Sequence, residues 1–181
     1  MIELRLITIE DGPQILEWRN DPAISAYMYT DHRISQDEHE AWLRRLLVSD
    51  DRMGWMIQLD GKPVGAAFIT GIDKQHRSAV WAFYLAEPAV RGKGVGSVVE
   101  GFVLETAFEQ LGLHKLSCEV LGFNQGVLAM HRKFGFRDEG LFREEKLKQG
   151  DWQDVYRLAF FEEDWLAERD RIRAFASSKL R

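Results

Sequence analysis

The sequence predicts an α/β protein built on one central, mostly antiparallel sheet of about seven strands with helices packed against it. Three observations carry that expectation. The apolar run Ala79-Val80-Trp81-Ala82-Phe83-Tyr84-Leu85 breaks at Glu87-Pro88, and Arg91-Gly92-Lys93-Gly94-Val95-Gly96 then opens into helical spacing, so the centre of the chain reads as strand, glycine-rich loop and helix. Ahead of it, residues 55–59 and 63–70 flank Asp60-Gly61-Lys62, where Asp-Gly supplies the positive φ angles of a tight hairpin turn. Behind it, residues 139–148 and 152–160 flank Gln149-Gly150-Asp151 as a long final hairpin.

Taken in order, residues 3–9 alternate Leu4 and Leu6 against Arg5 and Ile7 and predict the first strand. Asp11 is placed to cap a helix with Pro13 just inside it, and Ile15, Leu16 and Trp18 form its narrow apolar stripe. That helix should end near Asn20-Asp21-Pro22, because a proline disfavours helical geometry in the residue before it. Residues 23–34 read as an irregular segment, unusually aromatic for a loop at Tyr27, Met28 and Tyr29. Ser35-Gln36-Asp37-Glu38 spells a capping box, and Trp42, Leu43, Leu46 and Leu47 recur at helical spacing over about residues 35–47. His39 falls in the first turn, off the Trp42 and Leu46 stripe, where a solvated side chain is expected unless it serves a ligand.

After the glycine loop, Val98, Val99, Phe102, Val103, Thr106 and Ala107 recur three and four apart, giving a helix with one face on the sheet that stops at Leu111-Gly112. Residues 115–121 alternate Leu116, Cys118 and Val120 against Ser117, Glu119 and Leu121, a strand with Glu119 opposite Cys118. A carboxylate inside a strand marks either a surface or edge position or a functional one, and both readings stand at this point. Asn124 is placed to cap a short helix through Val127, Leu128, Met130 and Phe134, closed by Gly135-Phe136. A charged helix over about residues 162–175, packing Trp165 and Ile172, should end the chain, with order expected except over the last few residues.

A chain of 181 residues with 45% hydrophobic and 29% charged content is expected to form one domain over residues 1–181 and to bury a core without disulfides or metal. A net charge of −5 offers no global attraction to nucleic acid or anionic lipid, so an anion site must be local. Cys118 is the only cysteine, which excludes an internal disulfide and a cysteine-based metal site and suits a reducing compartment. No apolar run approaches the roughly 20 residues of a membrane span, and the N-terminus has no apolar signal core, so the protein is expected in the cytoplasm.

The glycine loop reads either as a strand-to-helix turn with basic surface residues or as the seat of the chemistry. A helix N-terminus presents unpaired N–H groups and about +0.5 of an elementary charge, and Gly92, Gly94 and Gly96 let the backbone come close to an anion while Arg91 and Lys93 add charge. A phosphate or pyrophosphate fits such a place. The loop is not a P-loop, because Lys93 is not followed by Ser or Thr, and it is not a dinucleotide fingerprint, because its third glycine comes one residue early.

The pattern R/Q-x-x-G-x-G/A directly after a strand resembles the pyrophosphate loop of the GNAT N-acetyltransferases, with Arg91, Gly94 and Gly96 at its fixed positions. A second motif agrees. That family follows the next strand with Asn-x-x-Ala-x-x-x-Tyr-x-x-x-Gly-Phe, and here Asn124, Gly135 and Phe136 are in register, while Val127 replaces Ala and His131 replaces Tyr. The resemblance spans essentially the whole chain. It implies helices on both faces of the sheet, a splay between the fourth and fifth strands with a bulge near Tyr84 and Leu85, and acetyl-CoA as co-substrate with no metal. Cofactor contacts would come from Tyr84, Leu85, Arg91, Gly92, Lys93, Gly94, Val95, Gly96, Asn124 and His131. Splayed strands would leave backbone groups to pair with pantetheine as with another strand. Direct attack of an amine on the thioester needs a base for its proton and an acid for the thiolate. Glu119 matches a base position and His131 the acid position. A tyrosine of pKa about 10 gives its proton uphill to a thiolate of about 8.5, whereas an imidazolium of about 6.5 gives it downhill.

In the N-terminal third, Trp18-Arg19-Asn20, Met28-Tyr29-Thr30 and Ile34-Ser35 followed by His39 resemble the nucleotide-sugar N-acetyltransferases of pseudaminic acid biosynthesis, on the route to glycosylated flagellin. By that resemblance Arg19, Asn20, Met28, Tyr29, His39 and Tyr84 would line the site of a UDP-amino-sugar substrate. A homodimer is compatible with the resemblance. The rival readings are a GNAT enzyme acting on a ribosomal-protein N-terminus or a polyamine, and a non-catalytic acyl-CoA-binding module prompted by the missing tyrosine at position 131.

Overall fold

The structure, a computed structural model, describes residues 1–178, so the expectation for the last few residues falls mainly outside the described ones. The N-terminal half contributes β1 (Ile2–Leu6), α1 (Gly12–Asn20), a single turn α2 (Pro22–Ser25), α3 (Gln36–Val48), β2 (Arg52–Leu59), β3 (Lys62–Asp73) and β4 (Ser78–Leu85). The glycine loop leads into α4 (Val95–Glu105), followed by β5 (Lys115–Leu121), α5 (Gln125–Phe134), β6 (Arg137–Lys148), β7 (Asp151–Phe161) and α6 (Glu162–Ser177).

All seven strands form one sheet in the order β1-β2-β3-β4-β5-β7-β6. Every neighbouring pair is antiparallel except β4 and β5, which run parallel. That pairing is short. It joins only Ser78 with Lys115, Ala79 with Leu116 and Val80 with Ser117, and from Trp81 onward the two strands diverge. The expected bulge near Tyr84 and Leu85 is displaced. The register of β3 with β4 is unbroken from Thr70↔Val80 to Gly65↔Leu85, and the irregularity comes one step later, where the N–H groups of Ala86 and Glu87 both donate to Val64 O.

The sheet separates two apolar clusters. Trp81, Leu116, Cys118 and Val120 face the larger one with α4, α5 and α6, while Tyr84 and Phe68 adjoin the smaller one, formed by Ile15, Trp18, Leu43, Leu46 and Met56 beneath α1 and α3. Both hairpins turn as their dipeptides predict, Asp60 at φ +51° with Gly61 at +76°, and Gln149 at +51° with Gly150 at +91°. Trp165 and Ile172 of α6 are buried, as expected.

Several local expectations are corrected. The first strand stops at Leu6, and the segment after α1 begins with the helical turn Pro22–Ser25. Asp11 does not cap α1. Its Oδ2 instead accepts from Thr8 N at 2.8 Å, and both its oxygens accept from Arg5, at 2.6 and 2.8 Å. Asn124 occupies the N-cap position of α5 without a side-chain capping bond, its ψ of 59° lying outside the usual extended cap geometry. His39 is buried, because Gly12 lets α1 approach α3 so closely that a Cβ there would lie 2.9 Å from Leu43 and 3.7 Å from His39 Nε2.

Candidate active site

The glycine loop meets α4 as an open N-terminus. Gly94, at φ +85°, is its N-cap and Gly92 sits at φ +74°, conformations that cost a side-chain-bearing residue about 1–2 kcal/mol. Ser97 N and Val98 N both donate to Gly94 O, at 3.1 and 3.2 Å. Among the described residues the N–H groups of Gly94, Val95 and Gly96 have no carbonyl partner, so three donors and a helix dipole point the same way. A Cβ at Gly96 would come within 3.1 Å of Met130 Sδ, so this glycine also lets α5 pack against the start of α4. Arg91 and Lys93 are exposed beside these donors, and Arg91 Nη2 donates to Leu85 O at 3.1 Å. This cradle fits a pyrophosphate. The Leu85 carbonyl, however, is engaged by the loop arginine rather than free for a pantetheine.

His131 lies on the α4 and α5 side of the divergence. It is 2% exposed, its Nδ1 is 2.8 Å from Glu100 Oε1, and its ring meets Trp81 edge-on at 5.2 Å and Phe136 at 5.2 Å. Glu119 projects from the opposite face of β5. Its Oε1 accepts from Arg157 Nη1 at 3.0 Å and its Oε2 from Tyr29 Oη at 2.9 Å, so each oxygen already holds one hydrogen bond and keeps a further lone pair. Acid and base candidates can therefore serve one reaction only through the gap between β4 and β5. Burial, followed by the bond to Glu119, holds the Tyr29 hydroxyl well above the ordinary phenol range, so it stays a donor.

The N-terminal candidates divide. Arg19 lies with its guanidinium 5.0 Å over the Trp42 ring, and among the described residues it has neither a hydrogen-bond acceptor nor an ion-pair partner. Tyr84 packs on Trp18 and Phe68 and has a buried, unpartnered hydroxyl, held protonated by burial. His39 stacks on Trp42 at 5.3 Å, neither ring nitrogen has a well-formed hydrogen bond among the described residues, and burial, opposed by the nearby backbone of Gly12, lowers its basicity so that it stays neutral at pH 7. Met28 is half-buried in the turn after α2. Asn20 has its side-chain amide engaged within the chain. Its amide donates to Ile34 O at 2.9 Å and accepts from Ile34 N at 2.8 Å, so its function is to close the loop.

Three participants escaped sequence reasoning. Arg157 faces Glu119 because β7 lies between β5 and β6, a strand order that local patterning does not reveal. Lys148, 6% exposed, reaches from the second hairpin to Ser25 O, Thr30 O and Asp31 and ties down the aromatic loop. Glu100 did leave a signal, since it lies four residues after Gly96 and three before Val103, on the apolar face of its helix.

A sheet split beside an anion-binding helix N-terminus, with aromatic and basic groups on the far side of the split, defines an acyl-CoA-dependent transferase. The chain belongs to the GNAT acetyltransferases: the family model described as an acetyltransferase (GNAT) domain matches residues 2–137. It is 23% identical over 167 residues to spermidine N(1)-acetyltransferase of Escherichia coli (strain K12), spanning 92% of this chain and 89% of that one. Acetyltransferase PseH of Campylobacter jejuni (serotype O:23/36, strain 81-176) is 27% identical over 160 residues, 83% of this chain and 96% of that one. Among solved structures, spermidine N-acetyltransferase from Vibrio cholerae in complex with CoA and spermine superposes with a TM-score of 0.85 at 25% identity, covering 91% of this chain and 98% of that one. The protein is thus an acetyl-CoA-dependent N-acetyltransferase. Among the described residues no cluster of His, Cys, Asp or Glu could hold a metal ion, and no helix is long and apolar enough to cross a membrane.

Proposed function

We propose that the enzyme acetylates the 4-amino group of UDP-4-amino-4,6-dideoxy-N-acetyl-β-L-altrosamine, the step of pseudaminic acid biosynthesis that leads to flagellin glycosylation. The observation that carries this reading is Arg19. A guanidinium that is partly desolvated, stacked on Trp42 and, among the described residues, with no ion pair beyond the longer-range pull of Glu38 gains from a phosphate, and it disfavours a polyamine. The buried hydroxyl of Tyr84, the ring of Tyr29 and the half-buried Met28 add a surface for sugar and base. The similarity to PseH supports the same reading. In it Glu119 accepts the amine proton, His131 protonates the thiolate, and Arg91, Lys93 and the backbone of residues 92–96 hold the pyrophosphate. A cytoplasmic location, a single domain over residues 1–181 and a homodimer accompany this proposal.

A polyamine acceptor is the second reading, favoured by the similarity over 91% of the chain to an enzyme solved with CoA and spermine. Incubating the enzyme with acetyl-CoA and, separately, the UDP-amino-sugar, spermidine and a ribosomal-protein N-terminal peptide tests the choice. Turnover of the nucleotide sugar is expected, and Arg19→Ala should raise its KM about tenfold while leaving acetyl-CoA affinity nearly unchanged. Spermidine turnover with none of any amino-sugar nucleotide would reject the proposal in favour of the polyamine.

A further inference from the structure

Glu100 lies on the sheet-facing side of α4, next to Val99 and one turn before Val103 and Leu104, and is 0% exposed. Its Oε1 contacts His131 Nδ1 at 2.8 Å, and its Oε2 has no partner among the described residues. A carboxylate in that position is costly, and an apolar side chain of similar volume would pack there without desolvation. Its one partner is the ring that occupies the position of the family's tyrosine. Trp81, whose ring edge meets the imidazole, is the first β4 residue beyond the last β4–β5 pair, so His131 borders the opening between the strands.

We propose that Glu100 is a positioning residue for proton transfer: it occupies Nδ1 of His131, so that Nε2–H is the proton offered to the leaving thiolate. The proposal rests on His131 being the acid. In the resting pair one proton lies between Glu100 Oε1 and Nδ1 and a second sits on Nε2, with no net charge. As the C–S bond breaks, sulfur takes the Nε2 proton, leaving a carboxylate beside a neutral ring protonated at Nδ1. The proton shed by the acceptor nitrogen on forming the C–N bond is taken by Glu119 and passes from it through water to Nε2, so each turnover restores the pair.

The surroundings isolate this pair. Burial pushes the Glu100 carboxyl above its ordinary range, opposed by its attraction to His131, and no other charge acts on it appreciably. Cys118 of β5 faces the same core, where burial first and Glu100 second push its thiol well up, so it stays neutral. β4 offers Trp81, the residue before β6 is Phe136 and α6 offers Ile172, none of which titrates. The cations of α5 face outward, Arg132 to Asp138 and Lys133 over Phe175.

Glu100→Gln keeps the shape and a hydrogen bond to Nδ1 but removes the charge. Its kcat should fall about tenfold, with acetyl-CoA affinity and melting temperature close to wild type. Nitrogen-15 NMR of the imidazole, which needs no turnover, should show a different balance of Nδ1–H and Nε2–H tautomers in wild type and Glu100→Gln. A wild-type kcat and an unchanged tautomer balance in Glu100→Gln, alongside a His131→Phe variant that loses kcat, would overturn the role of Glu100 while sparing that of His131. A His131→Phe variant with wild-type kcat would overturn both.

Discussion

Tyr29 Oη donates to Glu119 Oε2 at 2.9 Å, joining two residues 90 positions apart and linking the aromatic N-terminal loop to the strand that borders the cofactor gap. Lys146 Nζ lies 4.7 Å over the same tyrosine ring, and Arg157 holds the other oxygen of Glu119. Tyr29→Phe should therefore free Oε2 and loosen the acceptor loop without touching the glycine loop. The expected result is a fall of about tenfold in kcat/KM for the acceptor with unchanged acetyl-CoA affinity, read from steady-state kinetics beside calorimetry. An equal loss in acetyl-CoA binding would show that the two halves of the site are not separable in this way.

Arg91→Glu should weaken acetyl-CoA binding by more than tenfold, because it replaces one of two cations beside the open end of α4 with an anion. Calorimetric titration with acetyl-CoA measures this directly. Unchanged affinity would remove the loop from the cofactor site.

Gly94→Ala should cost about 1 kcal/mol or more of stability, since alanine must adopt the same φ of +85° to keep α4 open at its N-terminus. Urea unfolding measures the loss, and acetyl-CoA affinity should fall with it. A variant as stable as wild type would mean that the loop has another accessible conformation.

Asp11 ties stability to pH. Its bond from Arg5, partly offset by burial, holds its carboxyl below the ordinary range, so its contribution is present above about pH 4 and is lost as pH falls through the depressed value. Asp11→Asn should destabilise the protein at pH 7 by about 1–3 kcal/mol, and the difference from wild type should shrink in acid. Denaturant midpoints at a series of pH values test both statements.

Much of the fold was legible because its signals are local. Asp60-Gly61 and Gln149-Gly150 set their turns by backbone conformation, and Gly135 closes α5 at φ +115° as its position implied. The glycine loop was legible for the same reason, with Gly92 and Gly94 at positive φ and α4 opening at Val95. The acceptor side was not, because its contacts are set by packing between distant elements. The burial of His39 depends on the absence of a side chain at Gly12, 27 positions earlier, and the Glu119–Arg157 pair depends on β7 entering the sheet between β5 and β6. Asn20 shows a different limit. The resemblance of Trp18-Arg19-Asn20 implied a ligand contact, yet nothing in the neighbouring sequence shows that Ile34 uses both ends of its amide.

That amide has a consequence for how acceptor preference could be exchanged. By donating to and accepting from Ile34, Asn20 fastens the two ends of the segment between them as a rung of a sheet would, using one side chain. The entropy of closing such a loop rises by only about 0.6 kcal/mol for each doubling of its length. Residues 21–33 therefore form a cassette that can be exchanged as long as the groups that hold the buried Lys148, at Ser25, Thr30 and Asp31, are kept. A segment of different length or chemistry, spliced between Asn20 and Ile34, should change which amine is accepted while the scaffold and its glycine loop continue to fold as before.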